Sequence, residues 1–125
     1  MKDLETRKDI ELLVNSFYSK VKIDPTIGYI FTEVVNVDWE EHLPKMYSFW
    51  ETIIFGSTSF KGNPIRTHKE LSWKTKMGEE QFDRWLALWT QTIDEKFKGI
   101  RADEIKQRGK NIAGLMLFKI QQLER

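Results

Sequence analysis

The sequence contains no cysteine. That absence excludes disulfides, thiolate metal sites, iron–sulfur clusters and a cysteine nucleophile together. Histidine is almost as scarce, with only His42 and His68. No apolar run approaches the ~18 residues a membrane span needs, and the opening MKDLETRKD is charged, unlike a targeting segment. A soluble, cytoplasmic protein without membrane contact is therefore expected. Charge of one sign is missing as well: 20 basic and 19 acidic side chains leave a net charge of +1, with no basic block or acidic tail. Nothing in that balance forms an electrostatic footprint for nucleic acid. A chain of 125 residues holds one domain with one core, spanning 1–125, and is too short for two ordinary domains.

What is present is aromatic. Five Trp and eight Phe, with Met46, Met77 and Met116, supply either a well-filled core or a pocket of flat, polarizable side chains suited to a large planar ligand. The periodicity is helical throughout. Ile10, Leu13, Val14, Phe17 and Val21 predict a first helix over 8–22, with Tyr18 at the edge of its stripe and Asp24-Pro25 closing it. IGYIFTEVV, after Gly28, has room for a helical turn or two. Asp38 with Glu41 reads as a capping pair for a helix that ends at Gly56, although Pro44 favours a start near Leu43 or an offset first turn. Asn63-Pro64 opens a short helix, PIRTHKEL, after the loop STSFKGN.

A fourth helix is predicted over 79–98 with Phe82, Trp85, Leu86, Trp89, Ile93 and Phe97 inward. A last one over 102–123 carries Ile105, Ile112, Leu115, Met116 and Ile120. No alternating segment competes, so the fold class is all-α, without repeats or linkers.

The two histidines stand out against this background. On a wheel at about 100° per residue, His42 shares its arc with Leu43, Met46, Phe49, Trp50 and Ile53. A buried imidazole without a partner costs roughly 1–3 kcal/mol, so His42 requires a hydrogen-bond partner or a ligand. His68 likewise shares one side of its short helix with Ile65 and Leu71. A catalytic zinc site wants a third histidine or an inward carboxylate. A di-iron bundle wants inward Glu and Glu-x-x-His pairs, whereas the acids here are expected on outward faces. A serine hydrolase of the elbow type wants G-x-S-x-G, which is absent. Haem needs only one axial histidine, a dry apolar slot and polar groups facing the open side of the iron, and the chain offers these. Two satisfied core histidines in a helical interaction domain, or a helical sensor for another planar ligand, stay open on these observations.

Five motifs in order, FYSKV (17–21), DPTIGYIF (24–31), WEEHLPKMYSFW (39–50), GNPIRTH (62–68) and QFDRWLALW (81–89), make the chain resemble the truncated haemoglobins, in particular the third group of bacterial ones. The resemblance implies a shortened globin fold, a two-on-two helical sandwich around haem b. It makes His68 the proximal iron ligand and places His42 on the distal side, with Tyr18 and Trp85 as further distal hydrogen-bond donors. Phe31 then packs on the porphyrin and Lys45 reaches a propionate; Arg66 is a chemical candidate for the same contact. Tyr29 stands where the family has proline after the glycine, and SWKTKMGEE lengthens the connection after His68. Without the resemblance, Tyr18 would satisfy its hydroxyl on a backbone carbonyl, Trp85 and Phe31 would be core, and Lys45 would be solvated.

The implied ligands are O2, NO, CO or cyanide. Donors at Tyr18, His42 and Trp85 would each add a charge-assisted bond of roughly 1.5–3 kcal/mol to a polarised ligand. Retention follows, or NO dioxygenase-like or peroxidase-like chemistry served by a reductase, rather than oxygen transport. His42 is also placed, on this resemblance, to close the sixth coordination position when no gas is bound.

Overall fold

The computed structural model describes residues 1–34, 38–56 and 77–123. Arg66, His68 and the expected helix around them lie outside these residues. Among the described residues the regular structure is helical: α1 (Arg7–Ile23), a π-helical segment (Ile30–Val34), α2 (Trp39–Phe55), α3 (Glu79–Lys96) and α4 (Ile100–Leu123). No helix among them is long and apolar enough to cross a membrane.

In α1 the predicted stripe of Ile10, Leu13, Val14, Phe17 and Val21 is buried, spaced three and four apart along one face. Its two ends hold buried acids, which corrects the expectation that all acids face outward. Asp9, in the first turn, accepts from the Glu5 and Thr6 backbone N–H groups at 2.9 and 3.1 Å. Asp24, just past the last turn, accepts from the Thr26 and Ile27 N–H groups at 3.0 and 3.1 Å and from Arg84 Nε of α3 at 2.7 Å. Burial disfavours the charged Asp24 carboxylate, yet the Arg84 hydrogen bond, the two N–H groups and the nearby guanidinium charge outweigh it. They hold the carboxyl below its usual range. Asp24→Asn is therefore expected to cost about 1.5–3 kcal/mol at neutral pH. A group whose folded pKa is depressed contributes stability above its unfolded value and loses it as pH falls through the folded one. The difference between mutant and wild type should thus shrink below about pH 4, as urea unfolding at both pH values would show.

The chain then crosses the end of α1 at Gly28, where a Cβ would lie 2.9 Å from the carbonyl oxygens of Val21 and Lys22. Only glycine passes so close. The turn or two expected here is the π-helical segment. Beyond it, the Asp38 carboxylate accepts from the Glu40 and Glu41 N–H groups at 3.1 and 3.4 Å and starts α2 at Trp39. Pro44 therefore sits inside the helix, not ahead of it. Both Pro44 and Glu40 are exposed, so the Glu40 carbonyl that lacks its N–H partner can accept a hydrogen bond from water. Gly56 ends α2 in the left-handed conformation at φ 72°, as expected from the sequence.

The helices pack as two pairs, α1 with α2 and α3 with α4, and the pairs join through α1 on α3 and α2 on α4. Trp89 of α3, fully buried, sits at the junction. It stacks on Trp50 of α2 at 4.5 Å and 24°, meets Phe17 of α1 edge-on at 5.0 Å, and donates Nε1 to the Ile105 carbonyl of α4 at 3.3 Å. In α4 the buried row is Ala102, Ile105, Gly109, Ala113, Met116 and Ile120. Leu115, expected inward, is 46% exposed. One residue from Met116, it lies about 100° off that row, too far round the helix to share it.

Candidate functional site

The first two helices each deliver one polar side chain to a common place. Tyr18 belongs to the buried stripe of α1, and His42 lies one turn into α2. His42 Nε2 and the Tyr18 hydroxyl are 3.2 Å apart. Burial pushes the Tyr18 phenol well above its usual pKa, so it keeps its proton and remains a donor wherever the protein is folded. The imidazole decides where that proton points. If Nε2 is bare, Tyr18 donates to it. If Nε2 carries hydrogen, His42 donates to the phenol oxygen and leaves the Tyr18 proton available to a third group.

Aromatic rings enclose the pair. Phe31, half-buried, meets Tyr18 edge-on at 6.0 Å and stacks on Trp39 at 6.0 Å and 30°. Trp39 meets Tyr18 at 5.2 Å and His42 at 5.6 Å, both edge-on. Trp39 was not anticipated as a site residue. Its position three before His42, at the start of a helix, is the only sequence signal it gives. Trp85 joins the group through Phe17, which lies 5.6 Å from Trp85 and 5.0 Å from Tyr18. It also stacks on Trp89 at 6.0 Å and 14°. Lys45 is exposed and reaches Glu41 at 3.0 Å, one turn back on α2.

Along α2, Leu43, Met46, Phe49 and Ile53 are only half-buried, although Trp50 among them is buried. Trp85 of α3 is half-buried too. An apolar face of this extent, with its polar atoms concentrated at Tyr18 and His42, suits a planar apolar cofactor that presents one reactive centre. The donor set fits haem in kind: a phenol and an imidazole serve a small polar ligand.

Two helix pairs in a sandwich, with a tyrosine–histidine pair between the first two helices, define a shortened globin fold. The chain belongs to the bacterial-like globin family, whose family model matches residues 4–118. It is 29% identical over 119 residues to a group 3 truncated hemoglobin of Campylobacter jejuni, covering 90% of this chain and 91% of that one. The crystal structure of the group III truncated hemoglobin from Campylobacter jejuni superposes with a TM-score of 0.83 at 27% identity, covering 96% of this chain and 95% of the other. A group 1 truncated hemoglobin of Chlamydomonas moewusii is 33% identical over 66 residues, covering 52% of this chain and 37% of that protein. Membership of this family implies haem-based binding of small diatomic ligands in general.

Proposed function

We propose that the protein holds haem b through His68 and uses Tyr18, His42 and Trp85 to retain or transform a diatomic ligand rather than to deliver it. The observation that carries this reading is the Tyr18–His42 hydrogen bond inside a half-buried aromatic wall. Haem, when bound, supplies an iron centre that takes up O2, NO, CO or cyanide and exchanges electrons. The chain's residues do the rest. Tyr18 keeps a phenol proton in a dry place, where a hydrogen bond to a polarised ligand is stronger than in water. His42 fixes the phenol's orientation through Nε2, and Trp85 adds an indole N–H that can only donate. Phe31 and the α2 face at Leu43, Met46 and Phe49 exclude water. Lys45 and Arg66 are the cations for the cofactor's carboxylates, with Lys45 exchanging Glu41 for one of them.

Strong donors and a dry wall suit slow release, and with it NO dioxygenase-like or peroxidase-like reactions. Either turnover would need a reductase to restore the iron. Membership of a globin family favours this reading over an interaction domain with two structural histidines.

The test is an absorption spectrum of the purified protein with one equivalent of hemin, before and after dithionite, beside His68→Gly. A sharp Soret band that the mutation removes or shifts is the expected result, and the visible bands will show whether His42 fills the sixth position. A broad band like that of free hemin in the wild-type protein would overturn the proposal and favour the interaction domain. Uptake that is identical in His68→Gly would remove His68 as the ligand.

A further inference from the structure

The Tyr18–His42 pair is roofed by a residue that the proposed chemistry does not use. Trp39 opens α2, and its ring touches Tyr18, His42 and Phe31 at once. The ammonium of Lys22 lies 4.1 Å from the centroid of the same ring. The spacing explains how two helices build this contact. Tyr18 and Lys22 are four residues apart on α1, so they lie one above the other on its surface, and Trp39 and His42 are three apart on α2. The indole is thus held between the Tyr18 ring and, one turn further along α1, the Lys22 ammonium. Among the described residues Lys22 enters no ion pair, so the Trp39 ring is where its charge is engaged. Lys22 is itself exposed, whereas Trp39 is half-buried. The contact therefore stands at the boundary between solvent and the Tyr18–His42 hydrogen bond.

We propose that Trp39, pinned by Lys22, is a latch on this pair: a small diatomic ligand reaches Tyr18 and His42 only when the indole leaves the ammonium. The closed latch also limits the room in which His42 can move, because the Trp39 and imidazole ring centroids lie only 5.6 Å apart. Trp39 and Lys22 are positioning residues that act through His42. The inference rests on reading this site as a haem pocket. It goes beyond that reading by assigning control of access to an exposed cation and the ring beneath it.

Lys22→Met keeps the length and apolar stem of the side chain at an exposed position and removes only the charge, so folding is preserved. A cation over an aromatic face at an exposed site shifts an equilibrium by about two- to fivefold. Lys22→Met is expected to raise the CO association rate after flash photolysis by that factor, and Trp39→Leu to raise it further. Lys22→Arg, which keeps a cation over the ring, should stay near wild type. A second readout needs no cofactor: exchange with water of the proton shared by Tyr18 and His42, followed on the ring nitrogens of protein labelled with 15N-histidine. With two histidines in the chain, His68→Gly assigns that spectrum. The same factor of about two- to fivefold is expected in Lys22→Met. If CO association and exchange both stay at wild-type values in Lys22→Met while hemin still gives a band that depends on His68, the latch is wrong and the pocket stands. If hemin is not taken up, the pocket reading falls. Exchange in the hemin-free protein then decides the latch alone, and an unchanged rate in Lys22→Met would overturn it.

Discussion

Tyr18→Phe is expected to speed release of oxygen from the ferrous protein by about ten- to a hundredfold. That factor corresponds to losing one charge-assisted hydrogen bond of roughly 1.5–3 kcal/mol. The substitution changes little else: the ring stays in the stripe of α1 with its edge contacts to Phe17 and Phe31, and only the hydroxyl that faces His42 is removed. His42→Leu should have a smaller effect, because it frees the phenol to turn without deleting it. The double mutant should release ligand no faster than Tyr18→Phe alone if His42 acts through the hydroxyl, and a double-mutant cycle isolates that coupling. Stopped-flow displacement by CO measures all four rates. Should Tyr18→Phe leave the rate unchanged, the hydroxyl is not the donor, and retention would have to come from Trp85 or from the wall itself.

The helices were legible because their information is local. A stripe such as Ile10, Leu13, Val14, Phe17 and Val21 repeats at helical period whatever it packs against, and an Asp38 cap or a Gly56 stop acts on neighbouring backbone. His42 stood out as a polar group on an apolar face, whereas Tyr18, at the edge of a stripe, was singled out only by the family resemblance. What the sequence hid is pairing over distance. Asp24 looks like a turn acid until Arg84, 60 residues on, reaches it. Trp39 looks like the first residue of a helix until Lys22 and Tyr18 of α1 are seen against it. Leu115 shows the limit from the other side: its neighbours are apolar, and only the angle fixed by Ile105, Gly109 and Met116 turns it outward. Arg66 and His68, read from their motif, lie outside the described residues and rest on the spectrum proposed above.

Trp89→Ala is expected to cost about 3–5 kcal/mol, read from urea or thermal unfolding, since truncating a large buried aromatic leaves a cavity that its surroundings fill only in part. The surroundings here are unusually committed. Trp50, Phe17 and Trp85 all lie against the indole, and its Nε1 holds the Ile105 carbonyl. Gly109 sharpens the test. A Cβ at that position would stand 2.6 Å from Trp89 Cδ1 and 2.8 Å from Nε1. Alanine favours a helix interior over glycine by about 1 kcal/mol, so propensity alone predicts a gain from Gly109→Ala. Overpacking typically costs about 1–3 kcal/mol, and the ring cannot yield without disturbing three aromatic contacts and a hydrogen bond. A net loss of up to about 2 kcal/mol is therefore expected in the wild-type background. In a Trp89→Ala background no ring atom remains beside the methyl group, and the same substitution should become neutral or stabilising by up to about 1 kcal/mol. That reversal of sign would locate the cost in the contact between Gly109 and Trp89 rather than in α4 itself. Because Trp85 stacks on Trp89, the same contact sets how firmly α3 presents its indole to the candidate pocket. Gly109→Ala should accordingly loosen ligand retention as well as the fold.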